Sequence, residues 1–189
     1  MRLLFVSERF PPAIGGVSAS ANRIARSMAA AGHAVDVFSL ARELPSGAAD
    51  SERIAPNLRL HRFGMAKNLD FTLQQSLTFL EWLHQSRTFD AVWGHYITNA
   101  GFLAAWFGNR KKVPVILSVR GNDLDKELFP PGDFARLLWC LKKSQLVVTV
   151  SRDLADKVES LADRKAAVLP NSVDDQLFTP GPRPTDLLE

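Results

Sequence analysis

The sequence holds a single cysteine, Cys140, among 189 residues. That excludes an internal disulfide and fits a reducing compartment. Cys140 falls between Leu138 and Leu141 in a helical pattern, so it reads as a buried thiol rather than a nucleophile. Long apolar runs are also missing. The longest, around Gly101 to Phe107, is far short of the about 20 residues that span a bilayer. No signal-peptide pattern precedes the first apolar run, Leu3 to Ser7. Charge of one sign is scarce: 23 basic against 20 acidic residues leave a net +3. No basic run is interleaved with aromatics, which excludes the footprint of a nucleic-acid binder. Arg110-Lys111-Lys112 and Lys142-Lys143 are short and read as solvated helix ends. His33, His61, His84 and His95 lack ligand spacing and Cys140 has no second thiol, so no metal site is expected. Neither G-x-G-x-x-G nor G-x-x-x-x-G-K-[ST] occurs, and the second strand ends Phe38-Ser39-Leu40 without an acid. Both absences argue against a half-domain of an NAD-dependent oxidoreductase. The combination points to the cytoplasm, with peripheral contact to the inner face of a membrane left open.

What is present is a regular alternation of apolar segments. Leu3–Ser7, Ala34–Leu40, Leu58–Phe63, Ala91–Trp93, Pro114–Val119, Gln145–Val150 and Ala166–Leu169 read as strands. Between them lie helical periodicities. Val17, Ala21, Ile24 and Met28 predict the inner face of a first helix, ended by Gly32. Leu69, Leu73, Leu77, Leu80 and Leu83 mark a long amphipathic helix. Further helices follow over Thr98–Gly108, around Phe134, Leu137, Leu138 and Leu141, and around Leu154, Val158 and Leu161. The polar stretch Arg42–Pro56 reads as a loop. Continuously apolar strands separated by helices predict a parallel sheet covered on both faces: an α/β, Rossmann-like, doubly wound single domain.

In such a sheet the ligand crevice lies beyond the carboxyl ends of the strands. Four segments there are unusual: Phe10–Gly16, His95–Asn99, Arg120–Asp123 and Pro170–Asp174. In the first, a Pro-Pro turn and two glycines precede a helix. Gly15 and Gly16 remove the side chains that would keep an anion from the backbone, and the helix turns unpaired N–H groups to the same spot. The same residues also suit a tight strand-to-helix turn.

Several of these segments resemble motifs of glycosyltransferase family 4, the retaining enzymes of the GT-B fold. Phe10–Val17 resembles the family's glycine-rich loop, and Gly32-His33-Ala34-Val35-Asp36-Val37 its G-H-x-V-x-V segment. Asp90–His95 is similar to D-[VI]-[VI]-H-x-H, and Val119–Asp123 to [TS]-x-H-G-x-D. Val168–Asp174, with Phe178 and Pro180, is similar to V-I-P-N-G-V-D-x-x-x-F-x-P. Residues 1–180 then correspond to an N-terminal, acceptor-side domain. Residues 181–189 are the start of an interdomain linker or, at Leu188-Glu189, a cloning remnant.

The resemblance implies transfer of a sugar from a nucleotide-diphosphate sugar to the hydroxyl of a carbohydrate or lipid-linked acceptor. It implies no resident cofactor and no clear protein nucleophile. It also implies a partner, the C-terminal donor-binding domain with its E-x7-E motif. No such motif follows Pro180, so the chain alone is expected to be inactive. Gly15 and Gly16 would admit the donor diphosphate, and His95 would be the catalytic residue facing the sugar; otherwise it is a crevice histidine bonded to backbone. Asn122, Asp123, Asn171, Ser172 and Asp174 are acceptor or cleft candidates, or ordinary turn residues. His33 is read as structural, bonding last-turn carbonyls. Arg120 departs from the family's histidine and cannot act as a base. Either the acceptor is anionic, or Arg120 pairs with Asp123 or Asp125. The other reading of the whole chain is a non-catalytic sugar- or partner-binding module.

Overall fold

A computed structural model describes residues 1–126, 131–173, 178, 179 and 181. Leu3, Leu4, Phe5 and Val6 are apolar in both alternating directions, so the strand they form needs cover on both faces. It is β1 (Arg2–Ser7), and it lies in the middle of the sheet. The chain continues through α1 (Gly16–Ala30), β2 (Ala34–Ala41), β3 (Ala49–Ala55), β4 (Leu58–Gly64), α2 (Leu69–Ser86), β5 (Ala91–His95) and α3 (Asn99–Lys111). It then forms β6 (Val115–Val119), α4 (Asn122–Lys126), α5 (Pro131–Lys143), β7 (Leu146–Thr149), α6 (Arg152–Ala162) and β8 (Ala167–Val168). The strands make one sheet in the order β3-β4-β2-β1-β5-β6-β7-β8. All neighbours are parallel except β3 and β4. The doubly wound α/β expectation holds.

The antiparallel edge corrects one expectation. Arg42–Pro56 is not all loop but contains β3, an exposed edge strand. Asp50, Ser51, Glu52 and Arg53 are exposed whichever way they point, so no apolar face betrays the strand. Side chains on β4 hold it instead. Arg62 meets Glu52 at 2.5 Å, and Ser51 Oγ lies 2.7 Å from His61 Nδ1.

The alternation along β1 sends Leu4 and Val6 to one core cluster and Phe5 to another. Leu73, Leu77, Leu80 and Leu83 of α2 join the first, as do Leu103 and Phe107 of α3, Leu137 of α5 and Val158 of α6. Helix α1 serves the second, with Val35, Val37, Leu60 and Trp93. Its buried face is not the expected stripe. Ser18, Ser20, Ala21, Ala25 and Ala29 are buried, while Ile24 and Met28 are only partly covered. Small side chains let α1 lie close to the sheet, and the larger ones flank it. Leu69 likewise sits at the exposed start of α2, where Asn68 caps the helix by accepting from the Phe71 N–H at 2.9 Å.

Glycines bring α3 onto β5 and β6. A Cβ on Gly94 would lie 2.9 Å from the Gly101 Cα, and one on Gly108 would lie 2.3 Å from Val115 Cγ2. After α1, Gly32 takes a φ of +88°. The bond back to the Met28 carbonyl then comes from the His33 backbone N–H, at 3.2 Å. Cys140 is buried within α5. Among the described residues no helix is long and apolar enough to cross a membrane.

The chain leaves β1 towards β2 and later returns to the other side of β1 as β5. This is the point where the winding reverses, and the crevice opens there.

Candidate functional site

Ser7 ends β1 in register with His95 on β5, which is in register with Ser118 on β6. The loops after these strands therefore leave the sheet at one level and face each other. Glu8 ties two of them together. Its Oε1 accepts from Thr98 Oγ1 at 2.5 Å and from the Asn99 N–H at 3.0 Å, so a residue after β1 caps α3.

In the first loop the Ala13 N–H reaches the Phe10 carbonyl at 3.1 Å, closing the turn through Pro11-Pro12. Gly15 has a φ of +131°, which side-chain-bearing residues rarely adopt. Gly16 has no such requirement, and a Cβ there would meet nothing within 4 Å. The turn geometry accounts for Gly15 and not for Gly16. No side chain caps α1 and no acid lies in its first turn, so its positive end is open.

His95 is fully buried. Its Nε2 lies 2.9 Å from Ser20 Oγ, which itself donates to the Val17 carbonyl at 3.1 Å. Ser20 therefore accepts from the Nε2–H, and Nδ1 is the unprotonated nitrogen, without a partner among the described residues. The Phe5 and Tyr96 rings enclose the imidazole at 5.4 and 5.1 Å. Burial, followed by the charge on Arg120, pushes its pKa down to about 3, opposed by the Val17 carbonyl. The imidazole is neutral near pH 7. It lies beneath the cleft floor, and the side chain above it, Ser20, is the one that lines the cleft.

Tyr96 follows with a φ of +73° and lines the cleft. Burial and the neighbouring Asp123 push its phenol up, partly offset by Arg120. Asp123 is 2% exposed and turned to backbone. Its carboxylate accepts from the N–H groups of Ile97 at 3.2 Å, Arg120 at 3.1 Å and Gly121 at 2.8 Å. Burial raises its pKa and these bonds lower it, with the net shift upward. Asp123 thus holds the loop after β5 to the loop after β6. Asn122 opens α4 in an exposed position.

The Arg120 guanidinium reaches over to the Asn171 side-chain oxygen. Asn171 and Ser172 lie exposed after β8. Asp174, Pro180 and residues 182–189 lie outside the described residues. Gly16, Ser20, Arg23, Tyr96, Arg120, Asn171 and Ser172 line one open cleft of about 360 Å³. The structure thus gathers Gly16, Arg120, Asn171 and Ser172, among the residues singled out from sequence, into one wall. His95 and Asp123 support that wall from below. Tyr96 belongs to the segment His95–Asn99 noted in the sequence, whereas nothing there points to Ser20, Arg23 or Glu8 individually. For Ser20 and Arg23 the signal was their spacing from Gly16, four and seven residues on, which puts all three on one helical face. Among the described residues no group of three or more His, Cys, Asp or Glu could hold a metal ion.

The Glycosyltransferase Family 4 model matches residues 14–177. No curated protein is significantly similar in sequence. A sucrose-phosphate synthase structure from Thermosynechococcus elongatus superposes with a TM-score of 0.64 at 14% identity, covering 92% of this chain and 91% of that one. An E. coli trehalose-6-phosphate structure bound with UDP-2-fluoro glucose gives 0.52 at 13% identity, covering 81% of this chain and 40% of that one. The α,α-trehalose 6-phosphate synthase of Burkholderia multivorans gives 0.53 at 12% identity, with 85% and 42% covered. At these identities the likeness is one of fold. The chain spans less than half the length of the last two.

Proposed function

This chain belongs to glycosyltransferase family 4, and from that membership we propose that it forms the acceptor-binding half of a retaining glycosyltransferase. The reaction moves a sugar from a nucleotide-diphosphate sugar to a hydroxyl of a carbohydrate or lipid-linked acceptor. A second, donor-binding domain supplies most of the nucleotide contacts. The nucleotide sugar is a co-substrate, and no resident cofactor or metal takes part.

The observation that carries this reading is the cleft at the reversal point of the sheet. It is built on the open end of α1, and no carboxylate is among its described lining residues. The donor diphosphate approaches the first turn of α1, where Gly16 leaves room and the helix end favours negative charge. Ser20, Tyr96, Asn171 and Ser172 offer hydroxyl and amide groups to sugar hydroxyls. His95 supports the reaction from below. As a neutral imidazole donating to Ser20, it fixes the direction of one of the hydroxyls that reach the cleft. In this reading His95 is a positioning residue rather than the sugar-facing group the resemblance implied.

The test uses this chain completed by its donor-binding domain, supplied with labelled nucleotide sugars. His95→Ala and Ser20→Ala are each expected to lower kcat about tenfold or more at little cost in KM. The double variant should be no worse than the poorer single one, because the two side chains act as a unit. Unchanged rates with unchanged thermal stability would remove His95 from the machinery. Binding of sugars at the cleft without transfer from any donor would make the chain a non-catalytic binding module.

A further inference from the structure

Arg120 stands where the similar motif carries histidine, and two explanations compete: an anionic ligand, or an ion pair with Asp123 or Asp125. The structure separates them. Asp123 is buried and its oxygens accept from backbone N–H groups, one of them that of Arg120 itself. Asp125 meets Lys157 at 3.5 Å instead. The half-buried Arg120 guanidinium crosses the cleft to a neutral acceptor, the Asn171 amide oxygen, with one of its five N–H donors.

A second guanidinium shares the cleft. Arg23 lies on α1 and lines the same cavity. Among the described residues neither arginine has a carboxylate within 4.0 Å; the ion pairs there use other cations. Burial lowers the Arg120 pKa first, Tyr96 and Asp123 oppose that, and the charge of Arg23 adds to it. Two like charges that line one cleft, Arg120 partly desolvated and Arg23 exposed, favour an anion between them. Arginine forks match phosphate and carboxylate in shape as well as charge.

We infer that the space between Arg23 and Arg120 takes an anionic group, phosphate or carboxylate, carried by the acceptor. The acceptor is therefore a charged sugar or polyol rather than a neutral one. The word acceptor rests on the function proposed above; the anion site rests on the two arginines. The donor diphosphate has its own place. Arg23 is seven residues beyond Gly16, about 10 Å further along the α1 axis at 1.5 Å per residue, so the two anions need not compete.

Calorimetric titration of this chain tests the inference with matched probes: glucose, glucose 6-phosphate, glucuronate, inorganic phosphate and UDP. Glucose 6-phosphate or glucuronate should bind at least tenfold more tightly than glucose, and the tighter of the two identifies the anion. R23Q and R120Q should each weaken that binding about tenfold or more, with R120K intermediate because it keeps charge but loses the fork. Raising the salt concentration should weaken it too. UDP binding should be unchanged by these substitutions. Glucose binding as tightly as glucose 6-phosphate would overturn the inference, as would wild-type anion affinity in a folded R120Q variant. Equal loss of UDP and glucose 6-phosphate would hand the arginines to the donor and overturn it likewise. The two readings fail separately. Absence of transfer by the chain completed with its donor domain would sink the enzymatic reading and leave the anion site. Transfer to a neutral acceptor with no dependence on Arg23 or Arg120 would do the opposite.

Discussion

His95 is neutral in the folded chain because it is buried, and that neutrality is linked to stability. The folded pKa is about 3 against an ordinary 6.5. Below pH 6.5 the unfolded chain takes up a proton that the folded chain refuses until about pH 3. The stability contributed by His95 is therefore present above pH 6.5 and lost as pH falls from there towards 3. One such proton gives a slope of up to about 1.4 kcal/mol per pH unit. His84, lowered by burial and then by Lys111, acts in the same direction. Urea unfolding between pH 7 and 5 should show wild-type stability falling, and His95→Gln falling less steeply by up to one proton. Parallel slopes would mean that His95 titrates alike in both states. Asp123 tests the loop frame in a different way. Asp123→Ala strands the N–H groups of Ile97, Arg120 and Gly121 in a buried site. A loss of about 1–3 kcal/mol is expected. Asp125→Ala, removing one exposed ion pair at 3.5 Å, should cost clearly less, because solvent screens that pair. Equal losses in chemical denaturation would refute the buried role. That Asp123 turns inward was not legible from its sequence neighbours, since one of its donors, Ile97, lies 26 residues away.

At the scale of elements, the adjacent glycines before α1 part company. Gly15 carries a φ of +131° and Gly16 does not. Gly15→Ala should destabilise the domain by about 1–3 kcal/mol through backbone strain. Gly16→Val, in open space at the first position of a helix, should leave the melting temperature within a few degrees. In the protein completed by its donor domain, Gly16→Val should raise the donor KM while the acceptor KM changes less. A large drop in melting temperature with unaltered donor kinetics would return Gly16 to a purely structural role. Helix α3 offers a packing test. Gly108→Ala would place a methyl 2.3 Å from Val115 Cγ2 and 2.8 Å from the Val113 carbonyl. It should cost about 1–3 kcal/mol by overpacking, read as a shift in the urea midpoint. The leucine spacing of α2 was plain in the sequence because a large apolar stripe has one use. The apolar residues Val17, Ile24 and Met28 do not mark the buried face of α1, because its serines and alanines are the residues small enough to meet the sheet. Strand β3 was invisible because an exposed edge needs no apolar pattern.

At the scale of the molecule, the proposed function makes the cleft one wall of a larger site. The chain spans 40% and 42% of the two trehalose 6-phosphate structures with which it shares its fold. In the proposed function donor and acceptor are held by different domains, and holding them together supplies much of the rate. The purified chain should therefore show no multiple turnover of any nucleotide sugar; repeated turnover would show that one domain suffices. Local apolar periodicity reports which faces are buried, so the alternation of strands and helices is legible along the chain. Counting strand ends along the chain also puts His95, Arg120 and Asn171 at or just beyond them, and Gly15 and Gly16 at the end of the loop from β1 to α1. Which of them meet is set by strand order and helix packing. Ser20 and His95, 75 residues apart, touch because β5 pairs with β1, the strand on which α1 packs. Arg120 shares a cleft with Arg23 for the same reason. Strand order is settled by the burial of whole faces against one another, and no local pattern of residues carries it.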